Sequence, residues 1–98
     1  MTKLSVKQKE EFFFILKREE AKLERIFENI KLKDPKFAET FKFTKAYYED
    51  MKFFFKKEEH VKAFELQNYV WGLLDSLALA KAIEVPKELQ KHFKAEFS

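Results

Sequence analysis

Apolar residues recur along this chain at helical spacing. Phe12, Ile15, Leu16, Leu23, Ile26, Phe27 and Ile30 share one face when residues advance by about 100° each. Ser5 precedes that stripe and Gln8 follows it by three, the form of a capping box. The pattern predicts a first helix over about 5–32. Asp34-Pro35 then has the form of a helix start, and a link this short makes the first two helices antiparallel neighbours. In the second helix, about 35–57, Phe37, Phe41, Thr44, Tyr48, Met51 and Phe55 alternate spacings of four and three, a bundle seam. A second stripe of Phe43, Tyr47, Asp50 and Phe54 lies beside it and predicts a second neighbour.

No Gly or Pro marks the next boundary. The rhythm breaks instead, because the seam ends at Phe55 and a new stripe begins at Ala63 and continues through Leu66, Val70, Leu73, Leu74 and Leu77. A tight turn near 57–60 and a third helix over about 60–83 follow. This helix is apolar nearly all round, as a helix is when it is central or covered by a partner. Val85-Pro86 ends it, and Leu89, Phe93 and Phe97 belong to a short last helical segment, about 86–95. The expected fold is all-α: a three-helix antiparallel bundle with a short C-terminal helical segment, in one domain over 1–98.

Composition narrows the function. One Gly and two Pro in 98 residues leave few tight corners, which excludes an all-β fold and Gly-rich phosphate or dinucleotide loops. No Cys means no disulfide and no thiolate metal site. The net charge of +3 is mild, and the excess lies before residue 34. Lys7, Arg18, Lys22 and Arg25 share one side of the first helix, a candidate contact for RNA that Glu11 interrupts. The apolar runs are too short to span a membrane, and charges break the first residues where a secretion signal would be apolar, so a cytoplasmic protein is expected. A Lys- and Glu-rich composition with few Asn and Gln leans towards a thermophile.

Between 46 and 83 the chain carries Ala46-Tyr47-Tyr48-Glu49-Asp50, then Phe54 and Ala63, then Tyr69-Val70-Trp71-Gly72-Leu73-Leu74-Asp75-Ser76. These residues resemble the archaeal family called domain of unknown function 357. Two positions depart from that family's usual pattern. Glu58-Glu59 stands where the family has Gly-Asp at the turn, and Trp71 stands where it has His. The resemblance implies a helical hairpin over 46–83 and implies no activity. It marks Tyr47, Asp50, Tyr69, Gly72 and Asp75 as motif positions with a structural role.

Pairing the predicted helices places Phe43 opposite Gly72, Asp75 near Thr40, Thr44 and Lys45, and Glu19, Tyr47 and Asn68 in one polar layer. Asp50 and Asp75 then lie about 15 Å apart along the helix axis, too far to act as a paired acid and base. His60 and His92 are isolated, and Glu88 with His92 is a weak pair, so neither a metal nor another cofactor is expected. Phe13, Phe14 and Phe53 have no place on the stripes and fall at one end of the bundle, as clustered aromatics of a partner surface do. The resulting expectation is a non-enzymatic protein with a protein partner or self-association, no membrane contact and no small-molecule substrate. The alternative is RNA binding through the basic side of the first helix.

Overall fold

Helix α1 spans Val6–Asn29, and Ser5 caps it as the sequence predicts. The Ser5 hydroxyl accepts from the Gln8 N–H at 3.1 Å, and the Ser5 N–H donates to the Gln8 amide oxygen at 2.9 Å. The computed structural model describes residues 4–97. After Ile30 the chain is extended, and Lys31–Leu32 (β1) pairs antiparallel with Ile83–Glu84 (β2), Lys31 opposite Glu84 and Leu32 opposite Ile83. The expected ends of helices one and three, residues 32 and 83, are therefore too long. The last residues of both helical patterns are taken by a two-residue ladder that clasps the two ends together. Lys33 and Asp34 extend the clasp by donating their N–H groups to the Ala82 carbonyl.

Asp34 accepts from the Lys36 N–H at 3.0 Å and opens a 3₁₀ turn, Pro35–Phe37, that leads into α2, Ala38–Lys56. The turn before α3, His60–Leu79, falls inside the predicted 57–60. Two helices stop in the same way. Glu58 (φ 62°) after α2 and Lys81 (φ 57°) after α3 both adopt the left-handed conformation. In each case the following N–H reaches back five residues, Glu59 to Phe54 and Ala82 to Leu77. This is a Schellman stop made without glycine.

The helices run up, down and up, in a molecule with principal extents of 44 × 24 × 23 Å. Leu16, Leu23 and Ile26 of α1 meet Tyr48 and Met51 of α2 and Ala63, Val70, Leu74 and Leu77 of α3, all buried. Thr44, the polar member of the seam, is buried and donates its hydroxyl to the Thr40 carbonyl at 2.7 Å. Gln67 is buried as well, and its Nε2 donates to the Leu16 carbonyl at 3.1 Å, tying α3 to α1.

The last segment is a 3₁₀ helix, Lys87–His92, followed by an extended Phe93 and a bend at Lys94 and Ala95; it is shorter than the expected 86–95. Leu89, Phe93 and Ala95 are buried against the bundle, and Phe93 meets the Trp71 ring edge-on at 6.2 Å. Among the described residues no helix is long and apolar enough to cross a membrane.

Candidate functional site

Phe13, Phe14 and Phe53 stand at the turn end of the bundle but point in different directions. Phe13 lies over the α2–α3 turn, stacked on Phe55 at 6.0 Å and near His60 at 5.0 Å, with the Lys17 ammonium over its ring. Phe14 points outward from the back of α1 and is 64% exposed. Phe53 points outward from the back of α2, with Phe54 edge-on at 5.4 Å and the Lys57 ammonium 4.9 Å above it. Lysine stems and ammonium groups thus cover part of two of these rings.

The basic side of α1 is partly neutralised. Glu19 takes Lys22 at 2.8 Å and Arg18 at 3.2 Å. Burial pushes the Glu19 carboxyl up, but the hydrogen bonds and charges of Lys22 and Arg18 outweigh it and hold the group below its ordinary value. Lys7 and Arg25 remain on the outer face with Phe14. His92 comes up beside this side of α1. Partial burial and the charges of Lys22, Lys91 and Arg25 push its imidazole below the ordinary histidine value, against the weaker pull of Glu19.

The motif positions behave differently from expectation in three places. The polar layer of Glu19, Tyr47 and Asn68 does not form. Glu19 is held within α1, Asn68 is exposed, and Tyr47 packs between Tyr69 at 4.7 Å and Phe43 at 4.8 Å. The buried polar tie between α3 and its neighbour is one residue earlier, at Gln67, because a one-residue step turns a helical side chain by about 100°. Asp75 does not face Thr40, Thr44 and Lys45. Its Oδ1 accepts from the N–H groups of Lys94 at 2.8 Å and Ala95 at 3.2 Å, so it pins the C-terminal tail.

Gly72 does not make room for Phe43 either. Outside its own turn of helix, no heavy atom lies within 4 Å of where its Cβ would sit, and its φ is not positive. A helix-interior Gly costs about 1 kcal/mol against Ala. Nothing inside the fold offsets that cost. Asp50, the remaining motif position, is exposed one turn beyond Tyr47.

Two surface features lie outside the expectations. Phe43 belongs to a predicted inner stripe, yet it is 54% exposed, and with Tyr47 and the 51%-exposed Tyr69 it forms a continuous aromatic ridge along the α2–α3 hairpin. Its exposure follows from α1 packing on the opposite side of the hairpin, which sequence stripes alone do not specify. The other feature is an acidic row, Glu20, Glu24 and Glu28, spaced by four along α1 against Tyr48 and Glu49. Burial first, then the Glu24 charge, raises the Glu20 carboxyl, with Lys52 opposing. Burial followed by these carboxylates also raises the Tyr48 phenol. The four-residue spacing of the glutamates was the available signal for this row. Among the described residues no three His, Asp or Glu side chains gather as metal ligands would.

No curated protein and no solved structure matches the chain. The sequence profile of the family described as protein of unknown function (DUF357) matches residues 14–83. That span holds all three helices except the first two turns of α1, the clasp as far as Ile83, and every motif position discussed above. The chain belongs to the domain of unknown function 357 family.

Proposed function

We propose that this chain is a non-catalytic helical module that works in the cytoplasm by binding protein, as an adaptor or as a small subunit of an assembly. The observation that carries this reading is the aromatic ridge of Phe43, Tyr47 and Tyr69. Two of its members, Phe43 and Tyr69, are more than half exposed, and Tyr47 joins their rings into one patch. Exposed, adjoining aromatic side chains are what protein interfaces use as anchors, because they bury much area with little loss of rotamer freedom. Phe14 on α1 and Phe53 on α2 supply two further exposed rings at the turn end, on different sides of the molecule. The Lys- and Glu-rich surface fits a thermophilic archaeal source.

The test is affinity capture from the native host with the full chain, a Phe43→Ser/Tyr69→Ser variant and a Phe14→Ser/Phe53→Ser variant. A retained protein, which includes this chain itself, should be lost with the first variant and weakened with the second. The same set of proteins retained by all three would refute the reading.

A second reading, RNA binding by α1, is favoured by one arrangement. Phe14 stands exposed on the outer face that also carries Lys7, Arg18 and Arg25, and a ring among cations suits base stacking. Binding of a single-stranded RNA should then fall steeply with salt and be abolished by Arg18→Glu with Arg25→Glu. No retardation of any RNA at low salt would end it.

A further inference from the structure

We propose that α2 and α3 can join into one unbroken helix, so that two copies of this chain exchange α3 and form a dimer. This exchange goes beyond the interaction reading above and does not depend on it.

The link between α2 and α3 is a turn written in helix-interior residues. It consists of Lys57, Glu58 and Glu59, between Lys56 and His60, with no Gly, Pro, Asn or Asp. Lys and Glu are among the better helix formers. Glu58 nevertheless holds φ 62°, a conformation that a Cβ disfavours and that is mostly left to glycine. The start of α3 is also bare. Glu59 makes no side-chain cap hydrogen bond, and the first turn of α3 has no acidic residue. Helix α1, by contrast, starts on a full capping box. In an unbroken helix the N–H groups of His60, Val61 and Lys62 would donate to the carbonyls of Lys56, Lys57 and Glu58. Glu58 would leave its left-handed site and stand one turn before Lys62, the favourable order for such a pair. The backbone change is confined to the three link residues.

The fold itself names the occupant. Opening the hairpin takes Val70, Leu74 and Leu77 away from Met51 and Leu23, all of them buried. Only another α3 restores those contacts, with its Gln67 on the Leu16 carbonyl and its Ile83 paired to Leu32. An exchanged element reuses contacts that already exist, and a short strained hinge invites the exchange.

The register allows it. Tyr47 meets Tyr69, and the Lys62 ammonium lies over the Phe54 ring. In both pairs the two positions are equally far from residue 58. A two-fold axis at residue 58 of two antiparallel long helices therefore remakes both pairs between copies. The same axis brings Lys57 of each copy level with Glu59 of the other. The eight residues from Phe55 to Ala63 turn the buried face of an unbroken helix by about 80°. The two α1 helices thus lie on neighbouring flanks of the helix pair.

The test is sedimentation velocity of the full chain after refolding from micromolar to millimolar concentration, combined with cross-linking. The wild type should form a dimer whose share rises with concentration. The chain has no Cys, so Tyr47→Cys with Tyr69→Cys supplies the only thiols for a short bismaleimide. In the hairpin these rings are 4.7 Å apart. On an unbroken helix the two positions of one chain are about 33 Å apart, out of the reagent's reach. The monomer fraction should therefore link within one chain, and the dimer fraction should run as a covalent dimer under denaturing conditions. Glu58→Gly suits the left-handed site and disfavours the unbroken helix, so it should cut dimerisation roughly tenfold or more with the hairpin intact. A chain monomeric at every concentration overturns the proposal. So does a dimer that links only within chains, or one undiminished by Glu58→Gly. A monomeric chain that still captures another protein through Phe43 and Tyr69 ends the exchange and leaves the interaction reading standing.

Discussion

Removing the Asp75 carboxylate should lower the stability of the whole domain while its C-terminal tail stays docked. One oxygen, Oδ1, accepts from two backbone N–H groups, Lys94 at 2.8 Å and Ala95 at 3.2 Å. A hydrogen bond to a charged group contributes about 1.5–3 kcal/mol when its partner would otherwise be left dry. Lys94 is exposed and its N–H can turn to water, whereas Ala95 is buried. The Ala95 bond therefore carries most of the loss, and Asp75→Ala should cost about 2 kcal/mol. Undocking the tail would instead expose Leu89 and Phe93, at about 1.5–3 kcal/mol for each large side chain. That exceeds the loss, so the tail stays docked and the penalty appears in the global transition. For a domain of 98 residues the melting temperature should drop by about 8–16 °C. Circular dichroism would follow the melt. Trp71 fluorescence would report the tail, since its ring meets Phe93 edge-on. Asp75→Asn keeps an acceptor without the charge and should lose about half as much. A shift under about 2 °C for Asp75→Ala, or equal losses for Ala and Asn, would refute this account of the residue.

Gly72→Ala should raise the stability of the dilute chain by about 1 kcal/mol, read from urea melts, because the added methyl meets open space and the helix gains propensity. Gln67→Leu should lie within about 1 kcal/mol of wild type, since an apolar group of similar size replaces a buried amide while Leu16 keeps its own helical partner; Gln67→Ala should cost about 2–4 kcal/mol through the cavity it leaves. His92 is held below its ordinary value of 6.5 in the folded chain, so the unfolded chain binds the extra proton first as pH falls. Its contribution is thus present above about pH 6.5 and is lost as pH drops through the lower folded value. Melts at pH 7.5 and 5.5 should differ, and His92→Gln should shrink the difference.

How much of this molecule is legible in its sequence depends on the reach of each interaction. The Ser5–Gln8 box, the Asp34 start and the stop near residue 58 involve residues two to five apart, and all three were readable in the pattern. The phase break between Phe55 and Ala63 located the hairpin even though Glu58 occupies a left-handed site that glycine usually takes. The clasp was not readable. Lys31–Leu32 and Ile83–Glu84 continue their helical patterns, and only their distant pairing favours extended chain over one more turn of helix.

The candidate sites divide in the same way. The sequence picked out Gly72, Asp75, Tyr47 and Tyr69 as distinctive, but not what they touch. Asp75 faces chain nineteen and twenty residues away, and Gln67 reaches a carbonyl fifty-one residues away. Both contacts depend on which side of the hairpin α1 and the tail occupy. The sequence by itself determined three helices, the Ser5 cap and the Asp34 start, their order and their apolar seams, because periodicity and capping are local. Only the tertiary structure decided which apolar stripes were covered. α1 and the tail cover one side of α3 and leave Phe43, Tyr69 and Gly72 facing outward, since one neighbour per flank is all that a chain this short can supply.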